Sequence, residues 1–323
     1  MKKYRNQTID LLKVIFSICI IGIHLNLFKE TNFTLFRFFT QGLFRLGVPF
    51  YFITSGYYFG GKLEDKNMVK KYILRLIRIY AVFECVDILL NVLLIKGIWD
   101  RGIGYVLWKF STTGMNGIYW YLVSLIYTCV LCFPLWKRGY AKYLMIAGLI
   151  LYMIVMTNDS YSFISVPAWI KSLAELHTIV WRWPQAGLAE SVLYCSIGVY
   201  LRQKDYKSVN HIVLLISLAC LVIEALWTQS FYPNDANCYF SLLIATPLLF
   251  LWALKKESAI IYHPYFADMS LYIYMVHIYM NYVSYIFSQG DFRFAISAGL
   301  SVLTAFIMIK MSERKRATYE KTK

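Results

Sequence analysis

The chain has 323 residues, of which 59% are hydrophobic and 18% are aromatic. A soluble protein of this length cannot bury that much apolar surface, and apolar runs of about 20 residues recur along the sequence, which indicates a polytopic membrane protein. The net charge of +15 suggests a nucleic-acid partner only until the cations are mapped onto the connections between the apolar runs.

The apolar runs predict an all-α fold with about ten transmembrane helices. They cover approximately residues 12–28, 43–61, 79–97, 118–136, 143–158, 186–201, 211–229, 238–254, 269–288 and 294–310. An even number of spans places both termini on one side. Of the 33 Lys and Arg residues, 23 lie on that side and nine lie in the opposite connections, so the positive-inside rule places both termini in the cytoplasm. This distribution explains the charge with membrane lipids as neighbours and without nucleic acid.

Lys13 and His24 are the first candidate functional residues, because both lie in the first apolar segment. Their spacing corresponds to about three helical turns, so the two side chains share a face and lie about 16 Å apart along the axis. Ionisable groups within a membrane helix are rare and usually mark a pathway or a reaction. The alternative interpretation is that Lys13 extends to the interface and that His24 is a hydrogen-bonded interfacial histidine.

Arg75 and Arg78 lie at the predicted cytoplasmic end of the third span, three positions apart and therefore on one helix face. Two adjacent guanidinium groups suit phosphate or carboxylate ligands. Anchoring to lipid phosphates explains the same pair, and composition alone favours that interpretation.

Two further stretches place polar side chains inside apolar segments. In the second span, Arg45 precedes the run 49–56, whose Pro and Gly residues permit a bend or a close helix approach. In the ninth span, His277 follows a tyrosine-rich run that contains Tyr272 and Tyr274. Taken alone, His277 is predicted to be a buried hydrogen-bonding residue.

Acidic residues also occur within the predicted spans, among them Glu84, Asp87 and Glu224. Each is expected to pair with a basic group inside the bundle, and one of them can bind an amine or hydroxyl substrate. The sequence does not select among these three and Glu190, the fourth acidic residue within the spans. It contains no phosphate-binding loop, no HExxH pair and no zinc-type His–Cys spacing, so we expect no metal.

Five elements, in order along the chain, resemble the acyltransferase 3 family of integral-membrane acyltransferases. They are Lys13-x10-His24, the Arg45 to Gly56 run, Arg75-x-x-Arg78, Tyr119-Trp120-Tyr121-Leu122 and Ser270-x-Tyr272-x-Tyr274-x-x-His277. The first element has Lys where the family usually has Arg. The resemblance predicts one transmembrane domain over residues 1–311, followed by a basic cytoplasmic tail or truncated linker over 312–323.

The resemblance implies transfer of an acyl group, most often acetyl, from cytoplasmic acyl-CoA to an acceptor at the outer face of a bacterial-type plasma membrane. His24 is then the candidate general base, with His277 in support. The candidates for orienting the acceptor or stabilising an oxyanion are Arg45, Tyr272 and Tyr274. The candidates for binding the phosphates of acetyl-CoA are Lys13, Arg75 and Arg78. The acceptor is a small molecule, a glycan or an amino acid, and its candidate contacts are Glu84, Asp87, Glu224, His277 and Trp120.

A narrower resemblance links residues 220–226 and 239–242 to the membrane half of membrane-bound serine racemases from vancomycin-resistance clusters. In those proteins a soluble racemase domain follows the last span, so we expect either an excised membrane domain or a free-standing relative. The rival hypothesis is a serine-uptake module, in which Glu224, Glu84 and Asp87 recognise the amino group and Arg45 recognises the carboxylate. A catalytically idle membrane anchor explains the spans but not the intramembrane charges.

Overall fold

The structure, a computed structural model, describes residues 6–94, 102–206, 208–231, 235–256 and 265–321. All regular structure within these ranges is helical, which confirms the predicted fold class. The helices are α1 (Gln7–His24), α2 (Gly47–Gly60), α3 (Lys66–Leu94), α4 (Ile103–Thr112), α5 (Trp120–Lys137), α6 (Ala141–Met156), α7 (Ala168–Trp181), α8 (Leu188–Arg202), α9 (His211–Phe231), α10 (Leu242–Lys255), α11 (Phe266–Phe287) and α12 (Phe292–Lys321). Three short helical turns lie between α1 and α2.

Each predicted span overlaps one of these helices, with residues 95–97 of the third span outside the described residues, whereas α4 and α7 lie in the two long connections between spans. Four of the helices are long and apolar enough to cross a membrane by length and composition, namely α1, α5, α9 and the Phe292–Arg314 part of α12. The helices α6 and α10 are apolar but shorter. The count of ten spans and the cytoplasmic location of both termini therefore stay predictions.

Two helices extend beyond their predicted spans. The helix α3 begins at Lys66 rather than near residue 79, because its first turns are rich in Lys and Arg, which are good helix formers but lower the hydropathy of the segment. The helix α12 continues to Lys321, so most of the predicted tail over 312–323 prolongs the last helix. Hydropathy thus locates the apolar part of each helix and not its polar extension.

The helix α7 has two apolar faces of different character. Trp169, Leu173 and Leu176 follow one another at helical spacing and are exposed, whereas Ala174 and His177 are buried on another side. Burial lowers the pKa of His177 to about 4, because a charged imidazole would lose its hydration there. His177 is therefore neutral at pH 7, and the exposed apolar stripe is typical of a helix at a membrane interface.

The chain forms two compact units. The first unit contains the described parts of Met1–Gly47, Lys207–Trp227 and Leu243–Lys323. Its core is an apolar cluster in which α1 contributes Val14 and Ile21, α11 contributes Ile273, and α12 contributes Ala305. The members of the cluster recur along each helix at spacings of three, four or seven residues. Each of the three helices therefore directs one apolar stripe into the cluster.

The second unit contains Val48–Tyr206 and Thr228–Leu242, and in it α2 and α8 cross without intervening side chains. A Cβ atom on Gly56 of α2 would overlap the carbonyl oxygen of Cys195, and one on Gly198 of α8 would overlap the carbonyl oxygen of Ile53. Reciprocal glycines of this kind let helix backbones approach closely in a membrane protein.

We expect Gly198→Ala to destabilise the protein by about 1–3 kcal/mol, because the added methyl group forces the two backbones apart. Gly299→Ala is the matched control, since a Cβ atom on Gly299 would meet no atom within 4 Å. The midpoint of thermal unfolding in detergent measures the difference. Equal midpoints for the two variants would contradict the close crossing of α2 and α8.

Candidate active site

The helix α1 carries Lys13 and His24 on one unbroken element, as the sequence predicts. Asn6 caps the N-terminus of the helix, and its side chain accepts a hydrogen bond from the Ile9 amide at 2.9 Å. His24 is the last helical residue and is exposed. Lys13 is half-buried and lies 3.3 Å from the carboxylate of Asp10, one turn earlier. The Lys13 charge is therefore partly balanced within its own helix.

His24 and His277 lie next to each other in the first unit. Their ring centroids are 5.2 Å apart, with the rings tilted by 31°. His277 has no exposed surface, and its Nδ1 atom lies 2.6 Å from the carbonyl oxygen of Tyr274. A carbonyl oxygen only accepts, so Nδ1 donates, and in the neutral ring Nε2 is an acceptor. The pair thus joins an accessible imidazole to a buried one with a defined tautomer.

The two candidate tyrosines of α11 lie on different faces. Tyr274 is one turn from His277, with ring centroids 5.9 Å apart. Tyr272 instead packs against the apolar cluster of the first unit. Two residues along a helix differ by about 200° in direction, so both tyrosines cannot face the histidine pair. The structure therefore favours Tyr274 as the tyrosine near the candidate site.

Arg45 is buried within its own segment of the first unit. Its Nε donates to the carbonyl oxygen of Thr40 at 3.0 Å, and its Nη2 donates to the side chain of Gln41 at 3.0 Å. Thr40 and Gln41 are themselves fully buried. Through these bonds Arg45 stabilises the helical turns that follow α1. A role for Arg45 in binding an acceptor stays a prediction.

Arg75 and Arg78 are both exposed, one turn apart on α3 of the second unit. Their clustering with Lys13 stays a prediction. Two other cations of this unit make hydrogen bonds that the sequence does not predict. Lys62 donates to the carbonyl oxygen of Tyr58 at 2.6 Å, and Arg202 donates to the Tyr57 hydroxyl at 3.0 Å. Their positions at the ends of α2 and α8 are the signal that could have identified them.

Two of the recognised sequence elements meet inside the second unit. The Ser55 hydroxyl of α2 lies 3.1 Å from the hydroxyl of Tyr121 at the start of α5. Phe52 contacts the same element, with ring centroids 4.6 Å from Tyr121 and 6.5 Å from Trp120. Trp120 is thus an aromatic packing residue on the described contacts, and its role toward a substrate stays a prediction.

The candidate acidic residues differ in burial. Glu84 and Asp87 lie one turn apart on α3 and have no exposed surface. The Glu84 carboxylate accepts a hydrogen bond from the Met115 amide at 2.6 Å, which anchors the segment between α4 and α5. Glu224 on α9 is only half-buried. Within the described ranges, no group of three His, Cys, Asp or Glu side chains could hold a metal ion.

The described residues form apolar helices, and these helices carry buried histidines, carboxylates and an arginine. This combination is typical of an all-helical membrane protein. A family model described as an acyltransferase domain, acyltransferase 3, matches residues 6–310. The chain therefore belongs to this family.

Two curated proteins are similar to the chain. An amino-acid racemase from Enterococcus faecalis is 21% identical over 99% of this chain and 48% of its own length. A serine/alanine racemase from Enterococcus gallinarum is 24% identical over 88% of this chain and 42% of its own length. The chain thus spans about half the length of the curated relatives it matches. No solved structure gives a significant match.

Proposed function

We propose that this protein transfers an acyl group, acetyl in the simplest case, from cytoplasmic acyl-CoA to a hydroxyl or amine acceptor at the outer face of the membrane. The observation that supports this proposal is the contact between His24 and His277, with centroids 5.2 Å apart. An accessible imidazole in contact with a buried imidazole is suited to general-base catalysis. Membership of an acyltransferase family supplies the reaction class.

In the proposed reaction, His24 removes the proton of the acceptor as the acceptor oxygen or nitrogen attacks the thioester carbonyl. The tetrahedral intermediate collapses with loss of the CoA thiolate, which takes the proton back from His24. The Tyr274 side chain is the nearby candidate for stabilising the oxyanion. Atoms and charges balance, since the acyl group replaces one proton of the acceptor and CoA leaves as the thiol.

The donor is proposed to bind with its phosphates near Arg75 and Arg78, and Lys13 is a separate candidate for a contact with the donor on α1. Forked guanidinium groups one turn apart suit phosphate oxygens. Lys13 and His24 are about 16 Å apart along α1, a separation that the extended pantetheine arm of CoA would follow toward the thioester.

A second candidate function is supported by the name of one relative and by two buried carboxylates. The protein from Enterococcus gallinarum is described as a serine/alanine racemase, and Glu84 and Asp87 are fully buried. A serine-uptake module would use buried carboxylates of this kind to meet the substrate ammonium, and Glu224 is a further candidate for that role. We favour acyl transfer, because Lys13, His24 and the paired arginines have no simple role in serine passage.

Replacing Arg75 and Arg78 together by Ala should weaken CoA binding by about 2–4 kcal/mol, at roughly 1–2 kcal/mol for each charged contact. The matched control is the double variant Lys70→Ala and Lys71→Ala, which removes two exposed cations from the same helix. Isothermal titration calorimetry with CoA measures both. Unchanged affinity in the arginine variant, or an equal loss in the lysine variant, would argue against a specific phosphate site.

His24→Ala should abolish acyl transfer while leaving CoA affinity and thermal stability near those of the parent, because the side chain is exposed and terminates its helix. His211→Ala is the control, since it removes another exposed histidine of the first unit. Product formation from acetyl-CoA, followed by mass spectrometry, is the measurement. Turnover of His24→Ala near the parental rate would place the base elsewhere.

Enzyme and transporter are separated by comparing detergent and vesicle preparations. The acyltransferase should acylate an acceptor or slowly hydrolyse acetyl-CoA in detergent, where no compartments exist. A serine module would be inert toward acetyl-CoA and would accumulate labelled serine in vesicles, and Glu224→Gln would reduce that uptake by leaving the ammonium unpaired. Serine uptake that depends on Glu224 and is indifferent to His24→Ala would reverse our preference.

A further inference from the structure

The interface between α11 and α12 is built from paired side chains at regular levels. Ser297 of α12 donates a hydrogen bond to the Asn281 side chain of α11, and these two residues are called here the outer polar pair. Arg293 of α12 donates to the Ser284 hydroxyl of α11 at 3.3 Å. Residue numbers fall along α11 as they rise along α12, so the two helices are antiparallel.

The spacing of these levels identifies one more pair. Ile273 of α11 and Ala305 of α12 lie in the same buried apolar cluster. On each helix they are eight residues, or about two turns, from the outer polar pair. The level halfway between the two pairs therefore brings together His277 of α11 and Ser301 of α12.

Both members of this intermediate pair carry a buried polar atom for which the described residues provide no hydrogen-bond partner. These atoms are His277 Nε2 and Ser301 Oγ, and neither side chain has exposed surface. Nε2 is the acceptor atom of the ring, because Nδ1 donates to the carbonyl oxygen of Tyr274. Leaving two such atoms unpaired inside a bundle is unfavourable, which indicates that a ligand group or a water molecule completes them.

A hydroxyl group is the smallest neutral group that satisfies both atoms at once. Its proton is donated to His277 Nε2, and its oxygen accepts the Ser301 proton. The exposed His24 lies beside this place, with its ring centroid 5.2 Å from that of His277. An acceptor whose reacting group contacts His24 can therefore place a second, neighbouring hydroxyl between His277 and Ser301.

We propose that His277 and Ser301 form a subsite for a non-reacting hydroxyl of the acceptor, so that the protein prefers acceptors with a second hydroxyl close to the reacting one. This inference rests on the proposed acyl transfer and assigns its acceptor selectivity. His277 and Ser301 position the acceptor, whereas proton transfer stays with His24. A water molecule offers the same chemistry as an alcohol, and the test distinguishes the two.

The test compares 1,3-propanediol with 1-propanol as acceptors for acetyl-CoA, using the full chain in detergent. The parent should acylate the diol with a kcat/KM about fivefold higher, which exceeds the roughly twofold advantage of two equivalent hydroxyls. Ser301→Ala should reduce this ratio to the statistical value. Ser217→Ala is the matched control, because its buried hydroxyl is bonded to the Leu214 carbonyl oxygen at 2.7 Å within one helix.

Thermal unfolding gives a second reading that does not depend on turnover. Ser301→Ala should unfold at the same temperature as the parent or higher, because the variant removes a buried hydroxyl that has no partner. A purely structural role would instead make Ser301→Ala less stable than Ser217→Ala, and that outcome would overturn the subsite.

The remaining outcomes are distinct. Equal rates for both alcohols in the parent, with both rates lowered in Ser301→Ala, would overturn the acceptor subsite and indicate that a water molecule lies between His277 and Ser301. A diol preference that survives in Ser301→Ala would overturn the subsite and leave the proposed function intact. A parent that acylates neither alcohol and does not hydrolyse acetyl-CoA would contradict the proposed function, and the acceptor subsite would fall with it.

Discussion

The packing of α1 against α11 is the contact on which the candidate site depends. Val14 and Ile21 of α1 share an apolar cluster with Ile273 of α11, and these residues lie on the same helical stripes as His24 and His277. The apolar contact therefore fixes the rotation of both helices and with it the separation of the two rings. Hydrogen bonds alone would orient the rings less strictly, because each contributes only about 1 kcal/mol.

The pairing of α11 with α12 changes character along the bundle. The level of Ile273 and Ala305 is apolar, and the levels from His277 toward Arg293 carry hydroxyl, amide and guanidinium groups. The histidine pair lies at this boundary. A polar group at the level of His277 would therefore have hydrogen-bonding side chains on the side of Arg293 and the apolar cluster on the other side.

The sequence was sufficient for the helical class, for the approximate position of each apolar helix and for the shared face of Lys13 and His24, because these depend on composition and helical period. It could not predict that His24 meets His277, since two segments so distant in sequence are joined only by tertiary packing. It left Tyr272 and Tyr274 equivalent until the cluster fixed which face of α11 is apolar. Ser301 was not a candidate, because a lone serine in an apolar helix is ordinary, and its place beside the level of His277 follows only from the pairing of α11 with α12.

The reciprocal glycines of α2 and α8 have a mechanical consequence. With the backbones in direct contact at Gly56 and Gly198, there is no layer of side chains whose rotamers could change to let the helices slide or separate. We therefore expect the two helices to move together as one rigid unit. A solute cannot pass between them, and any alternating opening toward the two sides of a membrane would have to use other helix boundaries.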